Sequence, residues 1–345
     1  MSRAAAVLTA LAAAVVALTL LGIALGPVRV PLFDTVRVLA GADPSDPRWQ
    51  VIVASMRVPR VLTAIAAGAG LGVAGLQMQT LFRNALADPY VLGVSSGASL
   101  GVAVVVIAGA GSAAGFTAGL AGGGRAGVVL AAALGAAIVL AMVLTLARWV
   151  RSAATLLLIG VMVGAASTAV VSVLLVYADP QRVQQYLLWG LGSFAGTTWA
   201  DLRLLLPCVA VGVAAAAMTV RALNALLLGE GYARTMGIDV GRARTVAVAS
   251  ASLLAGVTTA FCGPIAFLGL AVPHLSRIAL GTSDHRALIP GVVLMGAAVA
   301  LGCAIVSQVP GSDAVLPVNA VTALIGAPIV VVVLLRSRRG VGIER

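Results

Sequence analysis

Arg57 and Arg60 stand three residues apart around Pro59, at the entrance to a long apolar run. Guanidinium groups recognise carboxylates through two parallel hydrogen bonds. Presented from one short turn, the pair can hold an acidic surface of an external protein. Arginines at a span end also anchor lipid phosphates or snorkel, and the residues alone leave both readings open. A second stretch with contact chemistry is 221–244, RALNALLLGEGYARTMGIDVGRAR. Leu223 to Leu228 is an apolar patch that Gly229 breaks, a short helix is expected over Glu230 to Met236, and Gly237 is placed to cap it. Leu226, Leu228, Tyr232 and Met236 then offer contacts able to enter a groove on a partner; the plainer reading is a solvated linker.

Other candidate chemistries lack their context. Gly70-Leu-Gly72-Val-Ala-Gly75 matches G-x-G-x-x-G. A dinucleotide site needs that motif between a strand and a helix, with an acidic residue about 20 positions on. Here it lies inside one apolar helix, and Gly68 with Gly72 forms a G-x-x-x-G helix-packing motif instead. Cys208, Cys262 and Cys303 are scattered among apolar residues and read as packing. His274 and His285 have no nearby Cys or His partner, so no metal site is expected. The chain contains no lysine, which removes the Walker A phosphate grip. If ATP drives this protein, another chain binds it, and no cofactor is expected here.

These residues are positioned by membrane spans. Of 345 residues, 61% are hydrophobic and only 10% charged, against about 45–50% and about 25% in soluble domains. Runs of some 20 apolar residues recur, each able to cross a roughly 30 Å hydrocarbon core. In lipid such runs must be helices, because every backbone group needs an internal partner. The +11 net charge is carried by arginines that gather at span ends, which points to the membrane surface and not to nucleic acid.

Ten spans are expected, at about 4–26, 61–81, 91–109, 126–147, 154–176, 201–221, 245–262, 265–283, 287–309 and 317–335. The reading is an all-α polytopic membrane protein with one permease domain over 1–345, an outer segment at 26–57 and a cytoplasmic loop at 221–244. The first run lacks the short core and A-x-A-like site of a cleaved leader and reads as a retained span. Arginines at Arg83, Arg148 to Arg151, 221–244, Arg286 and Arg336 to Arg339 fall on one side, so both termini are expected in the cytoplasm. Residues 179–196 form an amphipathic outer stretch with Tyr186 and Trp189, and Gly263-Pro264 must break the chain between the seventh and eighth spans. Pro273-His274 and Gly326-Ala327-Pro328 are expected to kink helices. Every Asp and Glu maps to a loop or span end. An ion-coupled secondary transporter normally carries an ionisable group within a span, so that alternative is disfavoured.

The wording of the chain resembles the FecCD-type permeases, the membrane halves of ABC importers for iron-siderophores, heme and cobalamin. The resemblance rests on Arg57-Val-Pro-Arg60, on Leu81-Phe-Arg-Asn84-Ala-Leu-Ala-Asp88-Pro89-Tyr-Val-Leu-Gly93-Val-Ser-Ser-Gly97 and on Leu156-Leu-Leu-Ile-Gly160. It continues through Leu188-Trp189-Gly190-Leu-Gly192-Ser193-Phe194, Leu227-Leu228-Gly229-Glu230 and Gly263-Pro264-Ile-Ala-Phe-Leu-Gly269-Leu. Val272-Pro273-His274-Leu-Ser-Arg277, Asp284-His285-Arg286-Ala-Leu-Ile-Pro290 and Thr322-Ala-Leu-Ile-Gly326-Ala327-Pro328 complete it, in the order the family uses.

The resemblance implies a type II ABC importer permease fold in a bacterial cytoplasmic membrane. Two copies would flank the pathway, two ATPase subunits would sit inside and an extracytoplasmic substrate-binding protein outside. It places binding-protein docking at Arg57 and Arg60, and ATPase coupling at Leu228, Gly229, Glu230, Ala233, Met236 and Gly237. The cytoplasmic gate would fall at Ala153, Ala154 and Thr155. A ferric siderophore is the leading cargo, as the commonest in the family, with heme or cobalamin as alternatives. Relatives commonly carry an Asp and an Arg where this chain has Ala304 and Gln308, and Glu-Leu-Pro-Val-Gly where it has Val315-Leu316-Pro317-Val318-Asn319. Set against the resemblance, these departures put a third docking arginine in question and shift the expected binding-protein contact toward Arg57 and Arg60.

Overall fold

A computed structural model describes residues 3–28, 30–108, 123–149, 153–308 and 315–340. The described chain is helical apart from turns and one isolated bridge, Gln308 to Val315. In order it forms α1 (Arg3–Ala24), α2 (Leu32–Leu39), α3 (Pro47–Gln50) and a π-helical turn (Val51–Arg57) that runs straight into α4 (Val58–Leu81). A 3-10 turn (Pro89–Leu92) precedes α5 (Val94–Ala108), α6 (Gly123–Trp149), α7 (Ala153–Val176) and α8 (Pro180–Gly190). There follow α9 (Trp199–Met218), α10 (Val220–Leu227), α11 (Glu230–Thr235), α12 (Val240–Cys262), α13 (Leu268–Leu280), α14 (His285–Val306) and α15 (Val318–Gly340).

Among the described residues, seven helices are long and apolar enough to cross a membrane, and three shorter apolar ones lie at 94–107, 268–280 and 318–331. They match the ten apolar runs of the sequence. Several carboxylates at span ends turn out to be helix caps. Asp239 Oδ1 accepts from the Arg242 backbone N–H at 3.0 Å and Asp284 Oδ1 from that of Arg286 at 2.9 Å. Thr198 and Asp201 form a reciprocal capping box at the start of α9. A short acceptor side chain here satisfies an N–H that has no partner inside the helix.

α4 is the central post, packed by α9, α12, α13 and α14 and buried along nearly its whole length. Its glycines make that possible. A Cβ on Gly68 would fall 2.1 Å from Gly296 O, and one on Gly75 would fall 1.7 Å from Gly269 O. Gly72 faces Val272 and Val292. The glycine stripe is therefore a backbone-to-backbone contact with α14 and α13, as expected of small residues at helix interfaces in lipid.

Three expectations are corrected. Arg57 and Arg60 do not sit on a short turn; the helix runs continuously from Pro47 to Leu81, so both project from a helical rod. Pro59 is accommodated because the turn before it is π-helical, with Val58 N–H donating to Val53 O. The carbonyl five residues before Pro59, Ala54 O, instead accepts Trp199 Nε1–H at 2.8 Å. The eighth apolar run gives a helix of only 13 residues, α13, about 20 Å long and shorter than the hydrocarbon core. Residues 263–267 remain non-helical. Finally, 221–244 is largely helical, and Leu226 is buried and not free for a partner.

Candidate functional site

At one end of the bundle, α10 and α11 meet at Gly229, whose φ of +110° is open to glycine and strained for other residues. The α11 C-terminus closes as a Schellman motif: Gly237 N–H donates to Arg234 O and Ile238 N–H to Ala233 O, each at 3.0 Å. Gly237 supplies the left-handed φ of +77° that this cap requires. Ala233 faces inward and is fully buried, whereas Leu228, Tyr232 and Met236 are 63%, 52% and 58% exposed. Glu230 fixes the short helix, accepting from Arg244 Nη2 at 2.5 Å while Arg234 lies 3.7 Å away. The product is a rigid knob with three large apolar side chains outward, the form suited to a groove on another protein.

At the opposite end of α4, Arg57 and Arg60 are 5% and 7% exposed. Arg57 Nη1 donates to Ile23 O and Ala24 O at 2.7 Å each, and its Nη2 to Val28 O. Arg60 Nη2 donates to Ala304 O. Each guanidinium thus meets carbonyls where α1 or α14 ends, groups without intrahelical donors and carrying the negative end of the helix dipole. Both side chains, with Gln308, also line a cavity of about 280 Å³. Ala304 and Gln308 therefore lie beside the pair: the Ala304 carbonyl holds Arg60, and Gln308 shares its cavity.

Comparison with known proteins identifies the family. The family model of the FecCD transport family matches residues 14–336. The chain belongs to that family. It is 34% identical over 307 residues to the hemin transport system permease HmuU of Yersinia pestis, covering 88% of each chain. Against the vitamin B12 import system permease BtuC of Escherichia coli O9:H4 it is 36% identical over 293 residues, covering 85% of this chain and 86% of the relative. A solved inward-facing structure of a metal-chelate type ABC transporter superposes with a TM-score of 0.82 at 28% identity, over 95% of this chain and 98% of that one. This FecCD protein is therefore a multi-pass permease subunit of an ABC importer in the bacterial inner membrane, a transport subunit and not an enzyme. A permease of this kind works with ATPase and binding-protein partners.

Other FecCD-type positions have defined places. The non-helical segment 263–267 is satisfied by side chains from elsewhere: Ile265 N–H donates to Tyr90 Oη at 3.2 Å and Ala266 N–H to Asn319 Oδ1 at 3.1 Å. Asn319 is thus a backbone acceptor at the break and also donates its own N–H to Leu191 O at 3.2 Å. Irregular backbone within a bundle persists only with such partners. Ala153, Ala154 and Thr155 begin α7; Thr155 is exposed, while the side chains of Ala153 and Ala154 lie outside the described residues.

Residue reasoning missed Tyr90, Gln79, Thr80, Asn224 and His285 as connectors. The His285 ring bridges two helices, 2.9 Å from Thr80 Oγ1 and 2.7 Å from Asn224 Oδ1. The one signal was Asn224 itself, a lone amide within the apolar patch Leu223 to Leu228.

Proposed function

We propose that two copies of this permease pack about a two-fold axis and pass a bulky metal chelate, a ferric siderophore foremost, into the cytoplasm. Both termini then lie inside, two ATPase subunits grip the α10–α11 knob, and ATP binding shifts the pair between outward-open and inward-open states. Ala153 to Thr155 close the inner end. The observation that carries this reading is α7. Leu156, Gly160, Ser167 and Val171 are buried along one stripe, and its other flanks are exposed, including Leu158, Met162, Val173 and Val176. Thr155, Thr168 and Ser172 are the exposed polar side chains described on it. Such a surface supplies contact area for a second copy and a lining without strong ligands, as a pathway that must release its cargo requires.

The test is uptake of ferric siderophores, hemin and cobalamin, each radiolabelled, by a strain lacking this chain and no other importer of the same cargo. Loss of one ferric siderophore, restored by complementation, is the expected result. Selective loss of hemin or cobalamin would reassign the cargo, and undiminished uptake of all three would sink the reading.

The binding protein docks, in this reading, with carboxylates against the Arg57 and Arg60 cavity. Charge reversal of either arginine would also strip the α1 or α14 carbonyls of their donor, so Gln308 is the cleaner probe. Gln308→Glu sets a competing carboxylate beside the pair and should weaken binding-protein affinity about tenfold, measured by surface binding, with thermal stability unchanged. An affinity within about twofold of wild type would count against docking there.

A further inference from the structure

The last turn of α4 places two polar side chains next to each other, and they tie it to two other helices. Gln79 Nε2 donates to Leu270 O at 3.1 Å, and its Oε1 accepts from Arg277 Nη1 at 2.7 Å, both on α13. Thr80 Oγ1 lies 2.9 Å from His285 Nε2 at the start of α14. On the far side of that ring, Asn224 Oδ1 lies 2.7 Å from His285 Nδ1 and accepts the His285 backbone N–H at 2.9 Å. Asn224 Nδ2 donates to Asp284 Oδ1 at 2.7 Å. Thr80 and His285 are each 1% exposed, so water cannot replace the bond between them, and breaking it costs more than at a surface.

Asn224 sits on α10, directly before the Gly229 corner and the exposed knob of α11. A displacement of that knob can leave it by two side-chain routes. One is Glu230 to Arg244, which moves α12. The other is Asn224 to His285 to Thr80, which reaches α14 and the central helix α4 together. Three side chains from three helices, 61 and 205 residues apart along the chain, therefore form one continuous path from the knob to the post around which the bundle is packed.

We propose that Asn224, His285 and Thr80 are positioning residues for transport: they transmit movement of the α10–α11 knob to α4 and α14. The inference rests on the reading of that knob as the ATPase-coupling element.

The experiment reconstitutes permease, ATPase subunits and binding protein in liposomes and measures cargo taken up per ATP hydrolysed. Thr80→Val keeps the shape and removes the hydroxyl; Thr80→Ser restores it; Asn224→Leu removes all three amide contacts. Uptake per ATP should fall about tenfold in Thr80→Val and Asn224→Leu. In Thr80→Val, cargo-independent hydrolysis and subunit stoichiometry should stay within about twofold of wild type, and Thr80→Ser should recover to within about twofold. A merely structural role would lower the yield of folded complex and leave uptake per ATP intact. That result, or an unchanged ratio in both variants, overturns the relay. The coupling reading is tested apart by Leu228→Asp, which spoils the apolar face and should release the ATPase subunits. Their retention would overturn that reading whatever the relay variants do.

Discussion

Gly75→Leu is expected to abolish accumulation of folded permease in the membrane. A Cβ at this position already falls 1.7 Å from the Gly269 carbonyl oxygen and 2.8 Å from its Cα. Backbone cannot swing aside as a side-chain tip can, so α4 and α13 would have to separate. Overpacking a well-filled core costs about 1–3 kcal/mol when side chains yield. Here the opposing wall is backbone, and a loss beyond about 4 kcal/mol is expected, enough to unfold a marginally stable protein. Because α4 is buried by four helices, opening one seam disturbs the others. Gly302→Leu and Gly127→Leu provide the control, since a Cβ at either site meets nothing within 4 Å. Both should fold within about 0.5 kcal/mol of wild type. The measurement is the monodisperse fraction after detergent extraction, with the thermal midpoint of what remains. Normal recovery of Gly75→Leu would show that the α4–α13 seam is looser than described.

The second large effect is expected at Gly229. Proline there would need φ near −65° in place of +110°, and it would delete the N–H that donates to Leu226 O at 3.1 Å. The corner between α10 and α11 cannot survive both changes, so Leu228, Tyr232 and Met236 would no longer face one direction. Gly229 itself is remote from the α4 seams, and a Cβ added to it meets only the tip of Arg83, at 3.5 Å. Gly229→Pro should therefore fold and reach the membrane, yet lose at least about tenfold in ATP-driven uptake. Gly229→Ala, strained but keeping the N–H, should fall between the two. The readout is complemented uptake alongside membrane abundance. Uptake that stays normal with proline in place would remove the knob from the transport mechanism.

Much of this was legible because it is local. An apolar run of span length has one low-energy answer in lipid, so the ten helices follow from composition and length. Gly263-Pro264 had to interrupt the chain, and Gly237 had to cap α11, since φ preference belongs to the residue itself. Carboxylates at span ends became caps for the same reason: Asp239 and Asp284 reach N–H groups two or three positions on. Exposure was read correctly at Leu228, Tyr232 and Met236 but wrongly at Leu226, because periodicity over one turn does not say which side a neighbouring helix will cover.

What the sequence determined by itself was the membrane class, the number of apolar helices and the corners between them, all properties of hydropathy and backbone preference within a few residues. Tertiary structure decided where the charges and amides went. Arg57 and Arg60 reach carbonyls that lie 34 and 244 residues away along the chain. Thr80, His285 and Asn224 meet across three helices, and the short α13 depends on Tyr90 and Asn319 to hold the backbone before it. A buried polar group must find a partner wherever the fold supplies one. Which partner that is depends on how helices pack, and no local rule of sequence carries that information.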